Sequence, residues 1–187
     1  LKNEPYKFYC VDDKMSKYRM IFSLLPVAEK DIPRYKKDMQ EAFQRGAEAE
    51  FGKMAVMILP DKDIDESIAR KGAHAYKAMV DGKMLGGAIV SLDEHGKHGK
   101  LELLYVKHGA QRKGIGLQIW KSIERIYPNV EAWETITPYF EKRNLHFYIN
   151  RCGFSAVEFF NPYHKYPDNP DDTIGRDYAF RFEKKMQ

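Results

Sequence analysis

The chain has 187 residues, 43% of them hydrophobic, 13% aromatic and 31% charged, with a formal net charge of +4. Such a composition predicts an ordinary globular domain with a sizeable core, and the charge excess is too small to argue for nucleic acid. No apolar run approaches the roughly 20 residues of a membrane span and no basic-then-apolar leader opens the chain, so a cytoplasmic protein that engages no membrane is expected.

Taken in order, Tyr6, Phe8 and Cys10 alternate, but residues 1–18 are polar enough to read as a loosely held arm ahead of one domain, 19–187. Residues 19–27 read as a strand. In 31–44, Ile32, Tyr35, Met39 and Phe43 recur at helical spacing, with Pro33 near the start and Gly46 as the expected stop. A second helix falls within 61–71 and ends near Gly72. Strands 75–80 and 84–92 are joined through Asp81-Gly82, a strong hairpin signal. A polar loop, 93–99, leads to a strand at 101–106. A helix follows that buries Ile119, Trp120, Ile123 and Tyr127 and stops at Pro128. Residues 130–136 form a strand, 140–152 a helix ended by Gly153, and 155–160 and 178–182 the last strands, on either side of a long polar loop. The order β-α-α-β-β-β-α-β-α-β-β predicts an α/β mixed sheet with helices on both faces.

Between the strand 101–106 and the next helix lies Gln111-Arg112-Lys113-Gly114-Ile115-Gly116. Backbone N–H groups at a helix start lack partners within the helix, and the helix dipole makes that end positive. Glycines let an anion approach those donors, so a phosphate or pyrophosphate is the expected ligand. Lys107, Arg112, Lys113, Lys121 and Arg125 would gather charge around it. Two familiar glycine motifs are excluded by spelling. A P-loop needs Lys then Ser or Thr after its last glycine, where Ile115 follows Gly114. A dinucleotide fingerprint needs glycine or alanine where Ile119 sits.

The remaining pattern, Gln111-x-x-Gly114-x-Gly116 between strand and helix, resembles the acetyl-CoA-binding motif of the GNAT superfamily of N-acetyltransferases. A second segment agrees: Asn144, then Phe147-Tyr148, then Gly153-Phe154. The resemblance implies the GNAT-like fold, a mostly antiparallel sheet splayed between its fourth and fifth strands. It also implies roles. Backbone groups of Leu104, Tyr105 and Val106 would lie along the pantetheine arm, and N–H groups of Gln111, Arg112, Lys113, Gly114, Ile115 and Gly116 would hold the pyrophosphate. Asn144 and Tyr148, four apart, share a helix face that would look toward the sulfur. Acetyl-CoA would be the co-substrate, with no metal.

The chemistry needs a base for an amine whose pKa is about 10.4 and an acid for the departing thiolate. Glu102, alone among apolar neighbours, is expected on the same strand face as Leu104 and Val106, where burial raises a carboxylate's pKa. Glu134 on the neighbouring strand, or water, competes with it. Tyr148 is the expected acid, its blander reading a core tyrosine. Cys152 reads as a small buried residue rather than a nucleophile. His95 and His98 sit in a polar loop with Asp93 and Glu94 and read as solvated. Around the acceptor, Glu48, Glu50, Phe51, Asp61, Asp63, Tyr163, Tyr166, Asp168, Asp171 and Asp172 combine acids with aromatics, which suits a cationic amine or simple solubility. The expectation is an enzyme that acetylates a small-molecule or peptide amine; a homodimer is compatible with it. The rival is a CoA-binding sensor of the same fold without turnover.

Overall fold

The structure, a computed structural model, describes residues 6–9, 20–166 and 178–186. Among these residues eight strands are formed: β1 (Tyr6–Tyr9), β2 (Ile21–Pro26), β3 (Ala73–Val80), β4 (Lys83–Leu92), β5 (His98–Val106), β6 (Ala132–Pro138), β7 (Ser155–Phe160) and β8 (Ala179–Lys185). They make one sheet in the order β1-β2-β3-β4-β5-β6-β8-β7. The alternation at Tyr6 and Phe8 becomes a short edge strand paired antiparallel with β2. The fourth and fifth strands expected from the sequence are therefore β5 and β6. Four α-helices lie among the described residues: α1 (Ile32–Phe51), α2 (Asp61–Ala69), α3 (Ile115–Ile126) and α4 (Lys142–His146), the last running on as a π-helical turn, Phe147–Cys152.

Helices cover both faces, as the element order predicts. One layer packs Ile115, Ile119, Trp120 and Ile123 of α3 against Leu101, Trp133, Phe154 and Phe182. The other packs Tyr35 and Met39 of α1 and Ile64 of α2 against Ile89 and Tyr105. Helix α1 differs from the expectation: it passes through Gly46 and ends seven residues later than the sequence suggests, at Phe51. A glycine ends a helix by turning left-handed, and here Gly52 does so with φ 79°, whereas Gly46 stays in the helix at a cost of about 1 kcal/mol relative to alanine.

All neighbouring strands are antiparallel except β5 and β6, which pair in parallel at His98–Ala132, Gly99–Trp133 and Lys100–Glu134 and then part. The last link is a side chain: Thr135 Oγ1 donates to the Leu101 carbonyl at 2.9 Å. Beyond it each strand runs on, to Val106 and Pro138, without the other. The closed end is held by the Trp133 ring lying on Gly99, where any β-carbon would fall inside the ring's van der Waals shell. Trp133 is fully buried, edge-on to Trp120 at 5.4 Å, and has nowhere to move. Gly99→Ala should therefore destabilise the fold by about 1–3 kcal/mol through overpacking, read as a lowered denaturation midpoint with altered tryptophan fluorescence. An unchanged midpoint would mean that the ring is not wedged there.

A second irregularity sits opposite. The β4–β5 register slips between Ile89 and Val90, so that Leu103 faces Ile89, Leu101 faces Val90 and Glu102 is the extra residue of a bulge. Alternation is broken at that point. Leu104 and Val106 pack with the α3 layer and Leu103 with the α1/α2 layer. Glu102 accepts a hydrogen bond from Ser91 Oγ at 2.7 Å and meets Arg70, just past α2, at 3.3 Å. The expected sharing of a face by Glu102, Leu104 and Val106 is thus corrected: the bulge turns Glu102 to the α2 side.

Candidate active site

The glycine loop closes the gap between β5 and α3 with three left-handed residues, Gly109 (φ 81°), Arg112 (φ 65°) and Gly114 (φ 74°). Gly114 caps α3, and a β-carbon built on it meets nothing within 4 Å. Among the described residues, no N–H from Gln111 to Gly116 donates to a backbone carbonyl outside the regular elements. Left-handed turns aim successive N–H groups into one concavity, an anion-binding arrangement. Gly116, in the first turn, lets the Phe147 ring come within 3.4 Å of the position a β-carbon would take.

That loop borders a cavity of about 650 Å³, also lined by Leu104, Tyr105, Val106 and Asn144. Gln111, Arg112, Gly114, Ile115 and Gly116 line it, whereas Lys113 does not and is exposed. The expected basic cluster is only partly there. Lys107 is taken by Asp38 at 2.7 Å, and Lys121 and Arg125 lie outside the cavity because each helical residue carries the chain about 1.5 Å further from the loop. The positive rim comes instead from α4 and its extension, through Arg143 and Arg151, while Lys142 is paired with Glu50 at 3.3 Å.

A second cavity, of about 530 Å³, opens where β5 and β6 part. Its walls are largely apolar, with Met54, Val56, Ile58 and Phe140, and it also receives Glu102, Tyr148 and Tyr166. Phe43, Leu104, Glu141 and Asn144 line both cavities and mark their junction. Tyr148 is 6% exposed, its ring packed on Phe147, Phe154 and Phe182, and the Thr135 and Thr137 hydroxyls attend its oxygen. Burial drives its pKa well above the ordinary value, so it stays protonated throughout the working range. Glu102 is flanked by Arg70, Ser91 and, at 3.5 Å, Lys100. Glu134 lines neither cavity and lies 3.9 Å from Arg181.

Elsewhere the sequence readings find plain settings. Burial pushes the Cys152 thiol up to about 12, which leaves it un-ionised near neutrality. His98 pairs with Asp93 at 3.2 Å in an exposed loop. Of the acceptor residues, Tyr166 reaches the second cavity and Tyr163 is fully exposed; Asp168, Asp171 and Asp172 lie outside the described residues.

Glu141 is the residue that the sequence reading passes over. It precedes Asn144 by three and Tyr148 by seven, so helical spacing alone puts it on their face. Burial, the largest influence, raises its pKa above the usual 4.5; Arg143 opposes this and Glu50 adds to it. A carboxyl whose folded pKa is raised favours the fold below its unfolded value and loses that contribution as pH rises through the folded one. Glu141→Gln should accordingly melt higher than the parent near neutral pH, with the difference closing below about 4.5. Equal melting temperatures across that range would show that the carboxylate is not penalised by burial.

Residues 36–154 match the model of the acetyltransferase (GNAT) family. The chain belongs to that family. A family-wide likeness appears at two levels. Over 167 residues it is 41% identical to a Bacillus subtilis (strain 168) protein described as uncharacterized protein YrkN, covering 85% of this chain and 90% of the other. The acetyltransferase fold is shared with a GNAT family acetyltransferase from Elizabethkingia anophelis solved with acetyl-CoA bound (TM-score 0.65, 15% identity, 88% of this chain and 98% of that one). It is shared equally with the Escherichia coli ribosomal-protein-S18-alanine N-acetyltransferase (TM-score 0.66, 15% identity, 89% and 94%). At such identities the likeness to solved structures speaks for the fold, and the parted strands β5 and β6 are the splay expected of the GNAT domain.

Proposed function

We propose that this chain is an acetyl-CoA-dependent N-acetyltransferase that delivers the acetyl group to a primary amine by direct attack in a ternary complex. One observation carries the reading: a cavity bordered by the glycine loop and a second cavity holding Tyr148 adjoin beside the parted strands β5 and β6, sharing Phe43, Leu104, Glu141 and Asn144 as lining. Two reactants bound in them would approach each other end to end.

The residues present suit coenzyme A. The amides from Gln111 to Gly116, with Arg112, would hold the diphosphate, and Arg143 and Arg151 would supply further positive charge along the rim. Leu104, Tyr105 and Val106, free of β6 on one side, would offer backbone groups to the pantetheine arm, with Asn144 facing them. Acetyl-CoA, once bound, supplies the activated acetyl group. Tyr148 keeps its proton at Oη on the wall of the second cavity and can give it to a sulfur leaving at the junction. A carboxylate must receive the amine's proton, and of the two that line the second cavity among the described residues, Glu102 and Glu141, the first is held by Arg70, Ser91 and Lys100.

The test joins calorimetry of CoA binding with thiol release from acetyl-CoA over a panel of small-molecule and peptide amines. Binding together with amine-dependent thiol release is expected. Tight CoA binding with no release from any amine would make the protein a CoA-binding sensor, and absence of CoA binding would remove both readings.

A further inference from the structure

Three features of the junction converge on Glu141. First, position: it stands at the start of α4 and borders both cavities, whereas Glu102 borders only the second and Glu134 neither. Second, availability: among the described residues its carboxylate takes part in no hydrogen bond or ion pair, while Glu102 and Glu134 face Arg70, Lys100 and Arg181. Third, room: the carboxylate lies against α1 at Gly46, where a β-carbon would stand 2.8 Å from Glu141 Oε1. Only a residue without a side chain lets it settle there.

Resting on the acetyltransferase reading above, we infer that Glu141, and not Glu102, is the base that takes the proton from the attacking amine, with Gly46 keeping its carboxylate at the junction. The charged and titratable groups that face it are few. Arg143 comes from its own helix, Glu50 from α1, itself tied to Lys142 at 3.3 Å, and Tyr148 from the π-helical turn. Burial with one acid and one base nearby keeps the carboxyl more basic than usual, which suits proton abstraction near neutrality. Glu102 then serves the wall: its ion pairs with Arg70 and Lys100 hold the bulge at the far side of the acceptor cavity.

The proton count closes. The ammonium sheds one proton to water as it enters, and the nitrogen lone pair forms the C–N bond. That nitrogen passes its second proton to Glu141 while the C–S bond breaks and its electron pair leaves on sulfur. Tyr148 protonates the sulfur; exchange with water then returns both side chains to their starting states, with one proton released per turnover.

The test compares the parent with Glu141→Gln, Glu141→Asp, Glu102→Gln and Gly46→Ala, with kcat followed against pH by thiol release and CoA affinity measured by calorimetry. Glu141→Gln should lower kcat about a hundredfold, keep CoA affinity within a few-fold and abolish the acidic limb of the profile. Glu141→Asp should restore part of the rate. Gly46→Ala should melt no lower than the parent, since alanine favours the helix, and still lose kcat because its methyl displaces the carboxylate. Glu102→Gln should keep the limb. A parental profile in Glu141→Gln, with the limb lost in Glu102→Gln, would overturn the assignment while leaving the enzyme reading intact. A parent that binds CoA and acetylates no amine would overturn both.

Discussion

Gly114→Val should weaken coenzyme A binding on the order of a hundredfold while the domain stays folded. Gly114 holds φ 74° at the cap of α3, a left-handed conformation that costs a branched residue about 1–3 kcal/mol. The loop can relieve that strain only by turning its N–H groups out of their common direction, and about 1.4 kcal/mol corresponds to tenfold in affinity. The side chain adds a second loss, because Gly114 lines the cavity and no protein atom lies within 4 Å of a β-carbon there to hold a branched side chain aside. Gly114→Ala separates the two effects, since it keeps the strain and fills little of the cavity, and it should bind about tenfold more weakly than the parent. Calorimetric titration with CoA, beside a thermal melt of each variant, reads both. Parental affinity in Gly114→Val would mean that the loop amides do not hold the ligand.

Tyr148→Phe should lower kcat about a hundredfold with CoA affinity within a few-fold of the parent. The ring keeps its contacts with Phe147, Phe154 and Phe182, so only the hydroxyl is lost from the wall of the second cavity. The Thr135 and Thr137 hydroxyls lose a partner, which costs about 1 kcal/mol of stability and leaves the fold intact. A phenol that served only the core would reproduce the stability change without touching turnover. Unchanged kcat would therefore remove Tyr148 from the chemistry, and a loss confined to CoA affinity would reassign it to ligand packing.

The elements of this chain are legible wherever the deciding forces act over a few residues. Periodicity finds α3 through Ile119, Trp120 and Ile123, and Asp81-Gly82 finds the β3–β4 turn, where both residues adopt positive φ. Gly46 misleads for a related reason: glycine permits a helix to end without requiring it, and the left-handed turn is made at Gly52. The bulge at Glu102 leaves no mark in the spelling, because one extra residue in a ladder is defined by the register with β4. Glu141 had a helical spacing to betray it, yet its setting comes from α1, whose Gly46, 95 residues earlier in the chain, stands against its carboxylate.

By itself the sequence determined the order of strands and helices from β2 onward, the glycine loop that begins α3 and the face shared by Asn144 and Tyr148, since propensity, capping and helical spacing are local properties of the chain; the edge strand β1, read as an arm, needed β2 to pair with. The tertiary structure alone decided where β5 leaves β6, which carboxylates are held by cations, which helix supplies the positive rim and how two cavities meet. Those outcomes depend on packing between segments far apart in the chain, where the position of one residue is set by the shape of another.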